Sequence, residues 1–290
     1  MATIAFIGLG VMGAPIAGHL ASAGHQLRVY NRSASKAAGW VAEHRGVVAA
    51  SPAAAATGAE AVFICVGNDD DVRNVVLGAD GALGALAPGA TIVDHTTASA
   101  TLARELSTIA AASGVGFVDA PVSGGQAGAV NGTLTVMCGG DPTVFDAVAP
   151  LIGTYSRACT LLGPSGSGQL TKMVNQIAIA GVLQGLAEAL DFGMRAGLDI
   201  DTVIDVIGKG AAGSWQLDNR GPTMARDEFD FGFAVQWMRK DLGICIDEAQ
   251  RNGAALAITK VIDGYYAEVV EMGGARWDTS SLIRRLTASD

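Results

Sequence analysis

Positive charge is scarce in this chain. Nineteen lysines and arginines stand against 28 aspartates and glutamates in 290 residues, a formal net charge of −9. No run of basic residues occurs, so nucleic acid and anionic membranes are poor partners. Cysteine is rare as well. Cys65, Cys138, Cys159 and Cys245 are scattered without paired spacing. They read as buried thiols in a reducing compartment, and a zinc site is not expected. His19, His25, His44 and His95 share no metal-ligand spacing, so no metal is expected at all. The N-terminus has no basic segment followed by a cleavage site. The longest apolar helical stretch, Ile177 to Leu190, is interrupted by Gln184 and Glu188, and it is too short and too polar to span a bilayer. These absences predict a cytoplasmic protein without nucleic-acid or membrane partners.

Apolar residues are plentiful: half of the chain is hydrophobic and only 16% is charged. That balance suits a well-buried α/β or helical protein, and the length allows two domains. Strand and helix signals alternate through roughly the first 160 residues. Strands are expected at Thr3–Ile7, Gln26–Tyr30, Ala61–Val66, Thr91–Asp94, Gly116–Asp119, Thr133–Cys138 and Ala158–Leu161. Helical stretches between them include Ser35–His44, Asp70–Leu77 and Thr101–Ser113. This alternation predicts a mainly parallel sheet covered on both faces. Asn131-Gly132, between apolar segments, suggests an antiparallel pair around Val130 to Cys138. After the loop Gly163–Gly168 the pattern becomes helical, starting with a long helix from Gln169 to Arg195. The predicted division is a Rossmann-type domain over residues 1–164. Residues 165–290 would form an interdomain helix and an all-helical domain.

The first strand runs into Gly8-Leu9-Gly10-Val11-Met12-Gly13, and a helical pattern follows. Between a strand and a helix, G-x-G-x-x-G is a dinucleotide signature. Gly8 makes the tight turn, Gly10 lets the backbone approach a pyrophosphate, and Gly13 lets helix and sheet pack closely. The helix N-terminus favours the phosphates. At the end of the second strand an acidic residue would select NAD by bonding the ribose 2′-OH. Here the residues are Asn31-Arg32-Ser33. They offer hydrogen-bond donors and a guanidinium suited to a 2′-phosphate, so NADP is expected over NAD, with NAD still possible. Val66, Gly67, Asn68 and Thr96 follow later strands and are also expected at the cofactor. Asp69, Asp70 and Asp71 read as helix-dipole and capping residues. His95 reads as structural more readily than as an acid or base.

Two further segments carry chemistry. Asp119-Ala120-Pro121-Val122-Ser123-Gly124-Gly125 ends a strand in a hydroxyl and successive unhindered backbone N–H groups, a setting that holds a carboxylate. Ordinary turn geometry would account for it equally well. On the long helix, Lys172, Asn175 and Gln176 stand at i, i+3 and i+4 and share a face. A lysine there can protonate an alkoxide or polarise a carbonyl, though a solvated first turn has the same spacing.

Together these segments resemble the β-hydroxyacid dehydrogenases, the family of 3-hydroxyisobutyrate dehydrogenase and the small semialdehyde reductases. The likeness spans the chain. It rests on Gly8–Gly13, on Asp119–Gly125 with Gly128-Ala129 and Gly132-Thr133-Leu134, and on Gly166-Ser167-Gly168 with Lys172 and Asn175. Lys240-Asp241-Leu242 and Asp278-Thr279-Ser280 complete it. The resemblance implies an oxidoreductase moving hydride between NADP(H) and a small anionic 3-hydroxy acid or semialdehyde. Lys172 would be the general acid/base and Asn175 would orient the substrate. Ser123, Gly124, Gly125, Gln176 and Lys240 would bind substrate, with Lys240 also near the nicotinamide. It further implies a homodimer or homotetramer. Val66-Gly67 departs from the Leu-Pro common in the family. Trp215 and Trp237 are expected near the substrate end or in the helical core. The alternatives are an imine reductase of the same fold, which usually lacks the lysine, and a non-catalytic NADP-binding scaffold.

Overall fold

Every residue of the first strand's apolar run is buried, but toward two different cores. In β1 (Thr3–Ile7), Ile4 and Phe6 face one side of a sheet while Ala5 and Ile7 face the other. A strand covered on both faces reads as a continuous apolar run for this reason. The structure, a computed structural model, describes residues 1–287.

The sheet also contains β2 (Gln26–Tyr30), β3 (Val47–Val48), β4 (Ala61–Ile64), β5 (Thr91–Asp94) and β6 (Gly116–Asp119). Beyond these lie β7 (Val122–Ser123), β8 (Leu134–Gly140) and β9 (Ser156–Leu161). Its order is β3-β2-β1-β4-β5-β6-β8-β7, with β9 paired to β8. Strands β1 to β6 are parallel, β8 runs antiparallel to β6 and β7, and β9 is parallel to β8. This is the Rossmann arrangement, and its order reverses between β1 and β4, where such sheets bind ligands.

One face is covered by α1 (Gly13–Ser22), α2 (Ala34–Glu43), α6 (Gly125–Val130) and α7 (Pro142–Ile152). The other is covered by α3 (Pro52–Ala56), α4 (Asp69–Leu77) and α5 (Ala100–Ala112). Antiparallel pairing of β8 is present, but Asn131-Gly132 does not make the hairpin. Those residues end α6, with Gly132 at φ 65°, and β8 instead pairs with β7 across that helix.

The chain divides into two units, Met1–Lys172 and Met173–Asp290. The division falls inside α8 (Ser167–Arg195). At 29 residues, α8 is long and apolar enough to cross a membrane by length and composition, unlike the Ile177–Leu190 stretch considered alone. Its Ala180, Leu183, Ala187 and Leu190 are buried in the core of the second unit. Gln184 and Glu188, which interrupt the stretch, are hydrogen-bonded to each other at 2.7 Å.

The second unit continues with α9 (Ile200–Gly208), α10 (Trp215–Ala225), α11 (Val235–Asn252) and α12 (Ala257–Glu271). A 3-10 turn, Thr279–Ile283, and the short α13 (Arg284–Thr287) follow. Buried Asp278 explains that terminal motif. It accepts from Ser280 N and Oγ and from Phe233 N, and pairs with Arg220 at 3.1 Å. The motif ties the segment after α12 to the segment entering α11 and to α10.

Candidate active site

At the switch point, the three glycines of the loop do different work. A Cβ on Gly8, which has φ 99°, would collide with the Cys65 carbonyl at the end of β4. A Cβ on Gly13 would strike the Gly8 carbonyl and crowd the Phe6 ring. A Cβ on Gly10 would meet nothing within 4 Å. The protein's own packing therefore requires glycine at 8 and 13, while the space beside Gly10 is open for a ligand. Leu9 is buried and Val11 exposed. Met12 gives α1 no side-chain cap, and in its first turn Ala14 N donates back to the Gly10 carbonyl at 3.0 Å. These features fit a dinucleotide pyrophosphate.

Asn31 is tied into this loop. Its Oδ1 accepts from Leu9 N at 2.9 Å, and its Nδ2 donates to Ser33 O at 3.1 Å. Ser33 Oγ lies 3.0 Å from Ser35 Oγ. The Arg32 side chain is 91% exposed and reaches Asp71 at 3.5 Å. An exposed pair of this kind holds about 0–1 kcal/mol, so an incoming phosphate can replace it. Asn68 caps α4 by accepting from Asp71 N, and Asp69 accepts from Ser99 N and Oγ.

Across the ends of β4, β5 and β6 runs a buried hydrogen-bond chain. Val66 N donates to Thr96 Oγ1 at 3.0 Å, and Thr96 N donates to Asp94 Oδ1 at 2.9 Å. Burial pushes the Asp94 carboxyl up to about 7, against the bonds from Thr96. Gln169 Nε2 donates to Thr96 O at 2.7 Å and its Oε1 accepts from Ala98 N at 3.0 Å. Asp119 accepts from Gly166 N at 2.7 Å and Gln169 N at 2.9 Å. It thereby caps α8, and Lys172, one turn on, is buried. Burial raises the Asp119 carboxyl pKa, while these backbone bonds oppose the rise. Four residues past Asp119, half-buried Ser123 precedes Gly124 and Gly125, with φ 127° and 61°. Both glycines are exposed. His95 is fully enclosed. Its Nδ1 is 2.6 Å from Ala120 O and its Nε2 is 2.9 Å from Tyr155 Oη, and burial lowers its pKa to about 4. It is a structural residue.

In the second unit another chain links the remaining candidates. Asn175 Nδ2 donates to Gln176 Oε1 at 2.8 Å, and Gln176 Nε2 donates to Asp241 Oδ2 at 2.6 Å. Asp241 Oδ1 lies 3.1 Å from Lys240 Nζ. Gln176 and Asp241 are buried, whereas the Lys240 side chain is 22% exposed. Both functional groups of the Gln176 amide thus engage neighbours in this chain. Trp215 and Trp237 are not core residues. Both are exposed, with Arg220 over the Trp215 ring at 4.9 Å and Lys240 near the Trp237 ring at 6.0 Å.

The NAD-binding domain of 6-phosphogluconate dehydrogenase matches residues 3–163. The NAD-binding region of NADP-dependent 3-hydroxyisobutyrate dehydrogenase matches residues 166–286. An uncharacterized oxidoreductase of Shewanella frigidimarina is 59% identical over 289 residues, covering 100% of this chain and 99% of its own. The chain belongs to the β-hydroxyacid dehydrogenase family. The Mycobacterium tuberculosis 3-hydroxyisobutyrate dehydrogenase, solved with L-serine, superposes with TM-score 0.89 at 32% identity, over 99% of each chain. Psf3, in complex with NADP+ and 2-OPP, gives TM-score 0.88 at 25% identity, over 98% of this chain and 99% of its own. As a member of this family the chain is an NAD(P)-dependent oxidoreductase acting on a CH–OH group.

Sequence reasoning about this β-hydroxyacid dehydrogenase missed three residues beside the candidate site. Asp119 was legible only as part of the glycine-rich turn, Gln169 as a polar start to the long helix, and Tyr155 not at all. Their partners lie 47 to 73 residues away for the first two and 60 for Tyr155, so no local pattern announces them. The four cysteines are free thiols, as expected, but Cys65 and Cys159 are only half-buried. Cys138 and Cys159 come within 3.6 Å on paired strands β8 and β9, although both remain thiols. Among the described residues no cluster of histidine, cysteine and acidic side chains could hold a metal ion.

Proposed function

We propose that this enzyme transfers hydride between NADP(H) and a small 3-hydroxy acid or its semialdehyde, with Lys172 as the general acid/base. The observation that carries the reading is the position of Lys172. It is a buried lysine one turn into a helix whose first turn is bonded to Asp119, the residue that opens the Ser123-Gly124-Gly125 turn. The nicotinamide, when bound, supplies the carbon that gives or takes hydride. Ser123 and the Gly124 and Gly125 backbone hold the substrate carboxylate. Lys172 gives a proton to the carbonyl oxygen during reduction and takes it back during oxidation. Asn175, three residues along the same helix, orients that oxygen, and Lys240 adds positive charge for the anionic substrate. That L-serine, itself a 3-hydroxy acid, accompanies the M. tuberculosis relative supports this substrate class.

Arg32 supports NADP, since it is an exposed guanidinium just past β2, a group suited to a 2′-phosphate, and no carboxylate stands in Asn31-Arg32-Ser33. The NADP+ bound by Psf3 supports the same choice. Exposed Val174, Val182 and Phe192 on α8 support a homodimer or homotetramer, and the four free thiols agree with a reducing cytoplasm. Lys172→Ala, assayed with NADPH over a panel of small semialdehydes, should lose at least about 100-fold in kcat. NADPH binding should stay within about threefold, a difference under 1 kcal/mol. Near-wild-type turnover would end the proposal. Arg32→Ala should lower kcat/KM with NADPH by about tenfold or more, the scale of one charge-assisted contact, while leaving NADH little changed.

A further inference from the structure

The bonds around the first turn of α8 do more than cap a helix. Asp119 fixes its backbone through Gly166 N and Gln169 N. Gln169 then reaches sideways and pairs both of its amide functions with the β5–α5 loop, at Thr96 O and Ala98 N. Thr96 in turn receives Val66 N from the loop after β4. A continuous path therefore joins the helix bearing Lys172 to two loops at the carboxyl ends of the parallel strands. Asp119 and Gln169 are 0% and 1% exposed. The packing leaves no slack. A Cβ on Gly139 would stand 2.7 Å from Asp119 Oδ1, and one on Gly168 would stand 2.9 Å from Oδ2. Gln169 precedes Lys172 by three residues, so the two share a helix face about one turn apart.

We propose that Asp119 and Gln169 are positioning residues that hold Lys172 in register with the cofactor loops. This rests on the reading of Lys172 as the proton donor. A capped, side-bonded turn fixes the Lys172 Cα, and a proton donor displaced by about 1 Å can lose roughly 100-fold in rate. Gln169→Met keeps the length and helix propensity of the side chain but removes both lateral bonds. Asp119→Asn keeps the shape but leaves only one good acceptor for two N–H groups.

The full-length protein would be assayed with NADPH and succinic semialdehyde, and with NADP+ and L-serine. In parallel, its lysines would be labelled with limiting acetic anhydride without cofactor and read by mass spectrometry. Both variants should lose about 10- to 100-fold in kcat with KM for the substrate within about threefold. Acetylation of Lys172 should rise severalfold relative to Lys36 and Lys260. A purely structural role would lower Tm yet leave kcat per folded molecule and Lys172 labelling unchanged, and that result would overturn the proposal. Should neither variant fold, amide exchange in the wild-type protein decides. Slow exchange at Gly166 and Gln169 supports the clamp, and exchange as fast as in exposed loops overturns it. Lys172→Ala is run beside them. Full turnover in that variant defeats the assignment of Lys172 itself. Loss there, with Gln169→Met unaffected in both rate and labelling, defeats the clamp alone.

Discussion

Alanine substituted singly at Gly8, Gly10 and Gly13 should separate packing from ligand binding within one six-residue loop. At Gly8 the added Cβ overlaps the Cys65 carbonyl, and φ 99° is itself unfavourable for alanine. Overpacking of about 1–3 kcal/mol and a backbone cost of about 1–2 kcal/mol then add to a loss of roughly 2–5 kcal/mol. At Gly13 the overlap with the Gly8 carbonyl and the approach to the Phe6 ring involve a conformation that alanine adopts easily, so only the overpacking cost of about 1–3 kcal/mol applies. At Gly10 a Cβ meets nothing within 4 Å. Gly10→Ala should leave the cofactor-free protein within about 0.5 kcal/mol of wild type, or slightly stabilise it through reduced freedom of the unfolded chain. The same methyl group would occupy space reserved for the pyrophosphate. NADPH affinity should therefore fall by at least about tenfold, or 1.4 kcal/mol. Urea unfolding without cofactor and fluorescence titration with NADPH give the two numbers. Wild-type affinity in Gly10→Ala, or a stability loss equal to that of Gly13→Ala, would refute the reasoning.

Two other predictions follow from buried groups. The His95 imidazole protonates near 6.5 in the unfolded chain but near 4 in the folded one, so between those values the unfolded state binds more protons. The His95 contribution is intact above about pH 7 and declines toward pH 4 by up to about 3 kcal/mol. Asp94, held near 7 by burial, keeps its proton when folded and acts in the opposite direction, losing stability as pH rises from 4 to 7. The difference in unfolding free energy between wild type and His95→Gln isolates the histidine. It should narrow by about 3 kcal/mol from pH 7.5 to 4, and parallel curves would contradict the assignment. In the second unit, Gln176→Met breaks the link between Asn175 and Asp241. It should lower kcat/KM for semialdehydes by about tenfold, the value of one or two buried hydrogen bonds, with NADPH affinity unchanged. Equal losses in both would instead point to a general collapse of the helical unit.

What the sequence determined by itself is the scaffold of the cofactor site. β1, β2, β5 and β6 occupy the residues read from their apolar runs, and the glycine loop sits between β1 and α1 as its spacing requires. Local periodicity and turn chemistry suffice there, because the signature is a six-residue spacing set between one strand and the next helix. Short β3 and the proline-containing α7 and α10 escaped, since two residues make no period and proline usually ends a helix. Asn131-Gly132 carried a hairpin signal that the packing of α6 overrode. Tertiary structure alone decided which partners the polar residues meet. His95 is locked between Ala120 and Tyr155, Asn31 is spent on its own loop, and Gln176 is bonded to Asp241. Asp119 bonds the first turn of the helix that carries Lys172, and Gln169 ties that turn to Thr96. Side-chain type and spacing describe what a residue can bond. Which partner it meets depends on chain segments dozens of residues away, brought together only when the sheet is assembled and the polar groups must be satisfied out of water.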